Sequence, residues 1–419
     1  MNTTLKDKSV LFLDTSGQYT SMAIRLSKDF GTVYYCTNWQ HSFPKYNSYC
    51  SGMNVPEIKR VDSPFSVLDA VDLIVFPDLF FGEFQDWLRK KGYIVFGSGS
   101  GENIEIKRDE FFELQEEVGL PVSGYKKIRG ITKLRKHLKY EENKWIKTNY
   151  IRGNGETFNY INERLSESRL NEMQNTLGAF GEEAVFLVCD PIDNAIEIGH
   201  DTFVIDGKYP KDVMYGLELK DAAYITKVVK YDFMPSVLSN IDRKMSSFFK
   251  DNTYRGFFSS EVRWTGKKGY WGDATTRAGQ PPSDLQQLLL DNFSEIIWNV
   301  AHGEVPEIKA SKKYGCQLII KSSLGYSQAV YFPEKYKDNI KIKNMMYKDG
   351  VPYHVVLDGI EMEEIGSVVA TGNTLKEAIE EAKKIAATVE GDCIKVNSDA
   401  LDEATMEILK FKNFGLPTI

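Results

Sequence analysis

The chain has little cysteine, no excess of positive charge and no long apolar run. Its five cysteines, Cys36, Cys50, Cys189, Cys316 and Cys393, are odd in number and far apart. No Cys-x-x-Cys pair is present to hold zinc, so the thiols are expected to be reduced, as in the cytoplasm. No segment approaches the ~20 apolar residues that span a bilayer. The opening MNTTLKDKSVLFLD lacks the apolar region of an export signal. A formal net charge of -7, from 52 basic and 59 acidic residues, gives no sequence-independent attraction to nucleic acid. There is no internal repeat and no low-complexity segment. These absences point to a cytoplasmic protein with no membrane partner.

What is present is enough for several cores. The 419 residues are 42% hydrophobic and 26% charged, and at roughly 150 residues per domain the length suggests about three units. The first hundred residues alternate short apolar runs (SVLFLD, TVYYC, VDLIVFPD, YIVFGSG) with helical patterns, which predicts a parallel sheet with crossover helices. A helix is predicted over DEFFELQEEV, with Asp109 as its cap and Gly119 past its end. The middle reads as α+β. A single helix is predicted from Asp284 to His302, and another from Thr374 to Val389, with Thr374 and Glu377 as a capping box.

Three stretches carry candidate chemistry. In YRGFFSSEVRWTGKKGYWGDATTR, a strand, a Gly-Lys-Lys-Gly turn and a second strand form a hairpin. Asp273, Thr275 and Arg277 alternate on the second strand and so share a face, with Glu261 on its partner. Oxygen ligands on adjacent strands suit Mg²⁺, and a guanidinium beside them suits a transferring phosphoryl group. An ordinary charged strand face is the competing reading. In WIKTNYIRGNGETF, Lys147 ends a strand before a loop containing Gly153 and Gly155, a pattern that lets backbone N–H groups and an ammonium approach phosphates. A plain hairpin turn explains the same glycines. In GSGSGE, Glu102 stands where a dinucleotide fingerprint needs Gly or Ala, which argues against NAD binding.

Taken in order, these pieces resemble the ATP-grasp superfamily, and most closely phosphoribosylamine–glycine ligase, along nearly the whole chain. The hairpin is similar to the family's strand-turn-strand ending in Glu-x-Asn-x-Arg-Phe-Gly-Asp-Pro-Glu-Thr-Gln. That resemblance implies Asp273 and Thr275 as metal ligands and Arg277 as the catalytic cation, while Glu261 joins the metal ligands through its place on the partner strand. It places Lys107, Arg108 and Lys147 as nucleotide-binding cations, with Gly153, Gly155, Glu156 and Thr157 in the loop over the phosphates. VFLVCDPIDNAIEIG resembles the strand and hinge that hold adenine, which implies Val188, Cys189, Asp190 and Glu197.

The implied architecture is α/β and α+β: an N-terminal parallel domain over 1–104, a two-lobed nucleotide-binding core over 105–310 with a smaller lobe at about 122–187, and a C-terminal α+β domain over 311–419. The implied activity is an ATP-dependent carboxylate-amine ligase that uses ATP and Mg²⁺ (or Mn²⁺) through an acyl phosphate. The carboxylate is glycine or another amino acid, and the amine sits on a nucleotide or a modified base. The departures are Thr275 for Asn, Gly279-Gln280-Pro281-Pro282 for Gly-Asp-Pro-Glu, and DTSGQYT for a Gly-rich first turn. The first of these keeps a second reading open, an ATP-binding homologue without catalysis.

Overall fold

The computed structural model describes residues 4–37, 49–150, 156–356 and 364–419. The chain divides into two compact units. The larger comprises Met1–Gly101, Ile198–Ser260 and Thr275–Ile419; the smaller comprises Glu102–Glu197 and Glu261–Ala274.

The larger unit begins with the expected parallel sheet. Its strands lie in the order Lys59–Arg60, Thr32–Thr37, Ser9–Asp14, Leu73–Val75 and Val95–Phe96, and every pair is parallel. The central strands read as unbroken apolar runs because both faces are covered: Val10, Leu11, Phe12, Leu73, Ile74 and Val75 are all buried. The helices Thr20–Ser27 and Gly82–Lys90 make crossovers in this sheet. An antiparallel sheet follows, in which Asp212–Leu219, Ala223–Lys230, Tyr314–Ser322, Glu364–Gly372 and Ile340–Ile342 are successive neighbours.

Helix ends in this unit follow side-chain chemistry. Thr374 Oγ1 accepts from the Glu377 amide at 3.2 Å, and Glu377 Oε2 accepts from the Asn373 amide at 2.8 Å. That capping box starts the helix Leu375–Ala386, whose Ala378, Ala382, Ile385 and Ala386 are buried. The single helix expected from Asp284 to His302 is instead two, Pro282–Leu289 and Phe293–Ala301. Leu290 is extended between them, and Asn292 turns its side chain to the carbonyl of Glu307 at 2.9 Å, which breaks the helical register.

The smaller unit is built on a four-stranded antiparallel sheet in the order Tyr125–Arg129, Val185–Cys189, Lys144–Thr148, Thr157–Tyr160. The helices Ile131–Leu138 and Glu163–Leu177 supply Leu134, Leu138, Leu170 and Met173 to a core that includes Ile146, Phe158, Phe186 and Val188. The helix Arg108–Glu117 begins one residue before the predicted cap, so Asp109 lies in its first turn. There Asp109 receives Lys127 at 2.5 Å and a hydrogen bond from the Asn149 amide, and these partners occupy the carboxylate a cap would have used. Lys147 lies near the end of an interior strand of this sheet.

Candidate functional site

Lys147 is the penultimate residue of the strand Lys144–Thr148 and pairs across the sheet with Leu187 and Thr157. It is 8% exposed. Its ammonium donates to the Gly272 carbonyl at 3.0 Å and to both oxygens of Asp273, at 3.3 and 3.1 Å. Asp273 belongs to the strand Gly269–Thr275, which follows a tight turn closed by the Thr265 amide on the Lys268 carbonyl at 3.0 Å, with Gly266 at φ 83°. The turn therefore uses glycine where a left-handed backbone is required.

Arg108 completes a ring of charge. It is 3% exposed, and its guanidinium forms ion pairs with Glu156 through one nitrogen and Asp273 through another. Burial alone would lower its pKa, but Asp273, Glu156 and Glu105 outweigh it and hold the guanidinium charged, with a pKa above its usual value. A planar fork answers two carboxylates at once, which a lysine at this position does not. Within the smaller unit, Arg108, Lys147, Glu156 and Asp273 are thus gathered into one alternating cluster. Thr157 pairs with Lys147 at the start of the neighbouring strand.

The other expected residues of this unit have different company. Lys107 pairs with Glu110 at 2.9 Å, one helical turn on, and this contact, its largest influence, raises its pKa. Val188 and Cys189 lie inside the strand Val185–Cys189 and are buried; burial pushes the Cys189 thiol up to about 11, so it is a neutral packing group. Asp190 follows the strand end, with its amide on the Gly124 carbonyl at 2.8 Å and its carboxylate on Lys144 at 2.6 Å. Glu197 pairs with Arg263 at 2.8 Å. Gly153 and Gly155 lie outside the described residues.

The expected alternation of Asp273, Thr275 and Arg277 on one strand face stops short. The strand ends at Thr275, and Arg277 lies beyond it, in the larger unit. Its guanidinium donates to the Tyr19 hydroxyl at 3.3 Å and faces Asp78 at 4.0 Å. Tyr19 donates onward to the Ala278 carbonyl at 2.9 Å, while its amide donates to Asp14 at 2.9 Å. Asp14 ends the strand Ser9–Asp14 and Asp78 follows Leu73–Val75. Arg277 therefore stands at the carboxyl ends of parallel strands, the place where open α/β sheets hold ligands. Burial raises Asp14 to about 7 against the opposing hydrogen bond from Tyr35. Tyr19, Asp78, Glu105 and Arg263 were not singled out from the sequence. Tyr19, Asp78 and Arg263 act through contacts at long sequence separation that no local spacing announces, whereas Glu105 lies three residues before the Arg108 it supports.

Among the described residues, no group of three or more His, Cys, Asp and Glu side chains is placed to hold a metal ion. Glu261 and Asp273 are oxygen donors of the kind Mg²⁺ takes, yet Asp273 already carries Lys147 and Arg108.

No protein-family model matches the chain, and no curated protein matches it. Solved structures do. A phosphoribosylamine–glycine ligase from Thermotoga maritima superposes with a TM-score of 0.71 at 13% identity, covering 93% of this chain and 99% of its own. The biotin carboxylase domain of the 2-oxoglutarate carboxylase from Hydrogenobacter thermophilus, in complex with MgADP and bicarbonate, gives 0.65 at 14% identity over 98% of this chain and 99% of its own. N5-carboxyaminoimidazole ribonucleotide synthetase, solved with ADP, gives 0.59 at 15% identity over 90% and 96%. Among the described residues no helix is long and apolar enough to cross a membrane. The chain has the fold of the ATP-grasp enzymes, in a form far diverged in sequence from these solved structures.

Proposed function

We propose that this chain is an ATP-dependent carbon-nitrogen ligase that activates a small carboxylate as its acyl phosphate and passes the acyl group to an amine. The observation that carries the reading is the cluster of Arg108, Lys147, Glu156 and Asp273 on an ATP-grasp scaffold. Two buried or nearly buried cations beside a carboxylate are what a polyphosphate requires if the cations are to change partners on binding. On binding, Lys147 and Arg108 would turn from Asp273 to phosphate oxygens, and Asp273 and Glu261, with Thr275 as the resemblance assigns it, would be the residues that hold Mg²⁺. The metal, when bound, offsets charge on the phosphates.

The remaining chemistry follows from bond-making needs. A carboxylate resists attack by an amine because its leaving group is oxide. Attack of a carboxylate oxygen on the terminal phosphorus expels ADP and forms a mixed anhydride. The amine nitrogen then adds to the carbonyl carbon, forming the C–N bond, and collapse of the tetrahedral intermediate breaks the C–O bond to phosphate, which leaves as the nitrogen gives up a proton. Arg277 is assigned to the developing charge of the phosphoryl group. We assign ATP, with Mg²⁺ or Mn²⁺, as the cofactors, and glycine or another amino acid as the carboxylate. The amine is one carried by a nucleotide or a modified base. Adenine is assigned to Val188 through Asp190.

The test is isotope exchange. With ATP labelled with ¹⁸O at the β,γ-bridge, a carboxylate that is phosphorylated reversibly scrambles the label into the β-nonbridging positions before any amine is supplied. Scrambling that depends on one amino acid identifies the carboxylate. Tight nucleotide binding without scrambling under any carboxylate supports the second reading, a binding homologue without catalysis, which Thr275 and the neutralised Asp273 favour.

A further inference from the structure

The helix Gly82–Lys90 of the larger unit hides one face and displays another. Gly82, Gln85 and Leu88 are buried. On the outward side lies a continuous run of rings. Phe84 stacks on Trp87 at 5.9 Å and meets Phe81 at 6.4 Å and Phe65, from the turn Pro64–Ser66, at 6.0 Å. Phe65 is 66% exposed, Phe80 55%, Trp87 45% and Phe81 36%. Phe80 also holds φ at 73°, a left-handed backbone that a bulky residue rarely adopts.

Rings of ~150–250 Å² each, exposed by a third to two thirds, present roughly 400 Å² of aromatic surface. That is at the scale at which a patch on a soluble protein marks an interaction site. Its charges are ordered as well. Glu83, Trp87 and Lys90 follow one another at helical spacing, so an acid, an aromatic ring and a base lie in line along the helix, and Glu83 and Lys90 are both exposed. Asp86 and Arg89, between them, are already paired with each other at 3.3 Å.

We propose that this face is the centre of an isologous dimer and that its occupant is a second copy of this chain. A two-fold axis through Trp87 reverses the partner helix and sets Glu83 of one copy against Lys90 of the other, twice, with the rings packed between. The stripe is complementary to itself, whereas an acidic or a basic partner segment meets like charge at one end. A standard interface buries about 800 Å² per partner with aromatic residues enriched at its middle, and the aromatic surface supplies about half of that.

Sedimentation velocity on the full chain across a concentration series tests this. The wild type is expected to dimerise. Trp87→Ala removes the central ring and should raise the dissociation constant by about tenfold or more. Glu83→Lys and Lys90→Glu each place like charges together twice per dimer and should weaken it by at least as much. The double variant carrying both reversals restores opposite charges and recovers the dimer, and so does an equimolar mixture of the two single variants. Circular dichroism of each variant shows that the fold is kept. A wild type that stays monomeric at every concentration overturns the proposal. So does a dimer indifferent to all three single substitutions, or one weakened by the reversals that neither the double variant nor the mixture repairs.

Discussion

Lys147 and Asp273 are held 3.1 Å apart, ammonium to carboxylate, across more than a hundred residues of sequence. Arg108 engages the same carboxylate from inside the smaller unit. If this arrangement is the resting form of a polyphosphate site, then Asp273→Asn frees two cations while deleting a metal ligand. ADP affinity without Mg²⁺ is expected to hold or to tighten, and the gain in affinity on adding Mg²⁺ is expected to fall by about tenfold or more, on the scale of a lost charge-assisted contact of roughly 1.5–3 kcal/mol. Titration calorimetry with and without the metal reads both quantities. An unchanged response to Mg²⁺ places the metal elsewhere.

Lys147→Ala acts in the opposite sense. It removes a phosphate partner and leaves Asp273 with Arg108, so nucleotide affinity should drop by about tenfold to a hundredfold. Lys147 is at a strand end, and its backbone pairing with Thr157 and Leu187 does not need the side chain. Asp273 is partly exposed and keeps Arg108, so the thermal midpoint without ligand is expected to fall, but by less than the loss of a fully buried ion pair would bring. A variant with wild-type ADP affinity would remove Lys147 from the site.

Arg108 is both site and structure. At 3% exposure it is shared by Glu156 and Asp273, and Arg108→Met leaves two carboxylates without their common cation. Breaking a buried ion pair from one side costs about 3–5 kcal/mol, so the denaturation midpoint should fall clearly. Arg108→Lys should recover only part of that, because one ammonium cannot answer two carboxylates along separate directions. Denaturant titration of the three proteins decides this. Equal stability of Arg108→Met and wild type excludes a structural role.

The legible parts of this molecule were those set by local pattern. The run SVLFLD, alternating with helical patterns, read as a strand of a parallel sheet, and the Thr374–Glu377 pair named a helix start whose hydrogen bonds are present. The place of Lys147 near a strand end was legible in the same way. The break at Leu290 was not legible, since Leu285, Leu289, Ile296 and Val300 keep helical spacing across it, and the hydrogen bond that accompanies it joins Asn292 to the distant Glu307 carbonyl. Nor was the partition of Asp273 from Arg277. Period-two alternation continues through any extended sequence, and nothing in GDATTR says that the strand stops at Thr275. Asp78 and Tyr19 were invisible for the same reason, because the sequence separation that joins them to Arg277 is about 200 residues or more.

The last prediction concerns pH and a residue of the larger unit. His354 ends the strand Val351–His354, is fully buried, and shares a hydrogen bond through Nδ1 with the Lys343 carbonyl at 2.7 Å. Burial lowers its pKa from 6.5 to about 4, more than that hydrogen bond raises it. The folded state therefore keeps the ring neutral where the unfolded state binds a proton. Stability rises with pH wherever the unfolded chain holds more protons. This contribution is accordingly complete above about pH 6.5 and is lost as pH falls toward 4, by roughly 3 kcal/mol at the lower limit. His354→Asn keeps a donor for the Lys343 carbonyl and cannot titrate, so its denaturation midpoint should depend less steeply on pH between 4 and 6.5 than that of the wild type. Asp14, raised by burial to about 7, works with the opposite sign: its neutral form favours folding at low pH, and that advantage is lost as pH climbs from 3.8 to 7. Comparing wild type, His354→Asn and Asp14→Asn over the same pH series separates the two. Parallel midpoint curves for wild type and His354→Asn would show that the buried imidazole does not govern acid sensitivity.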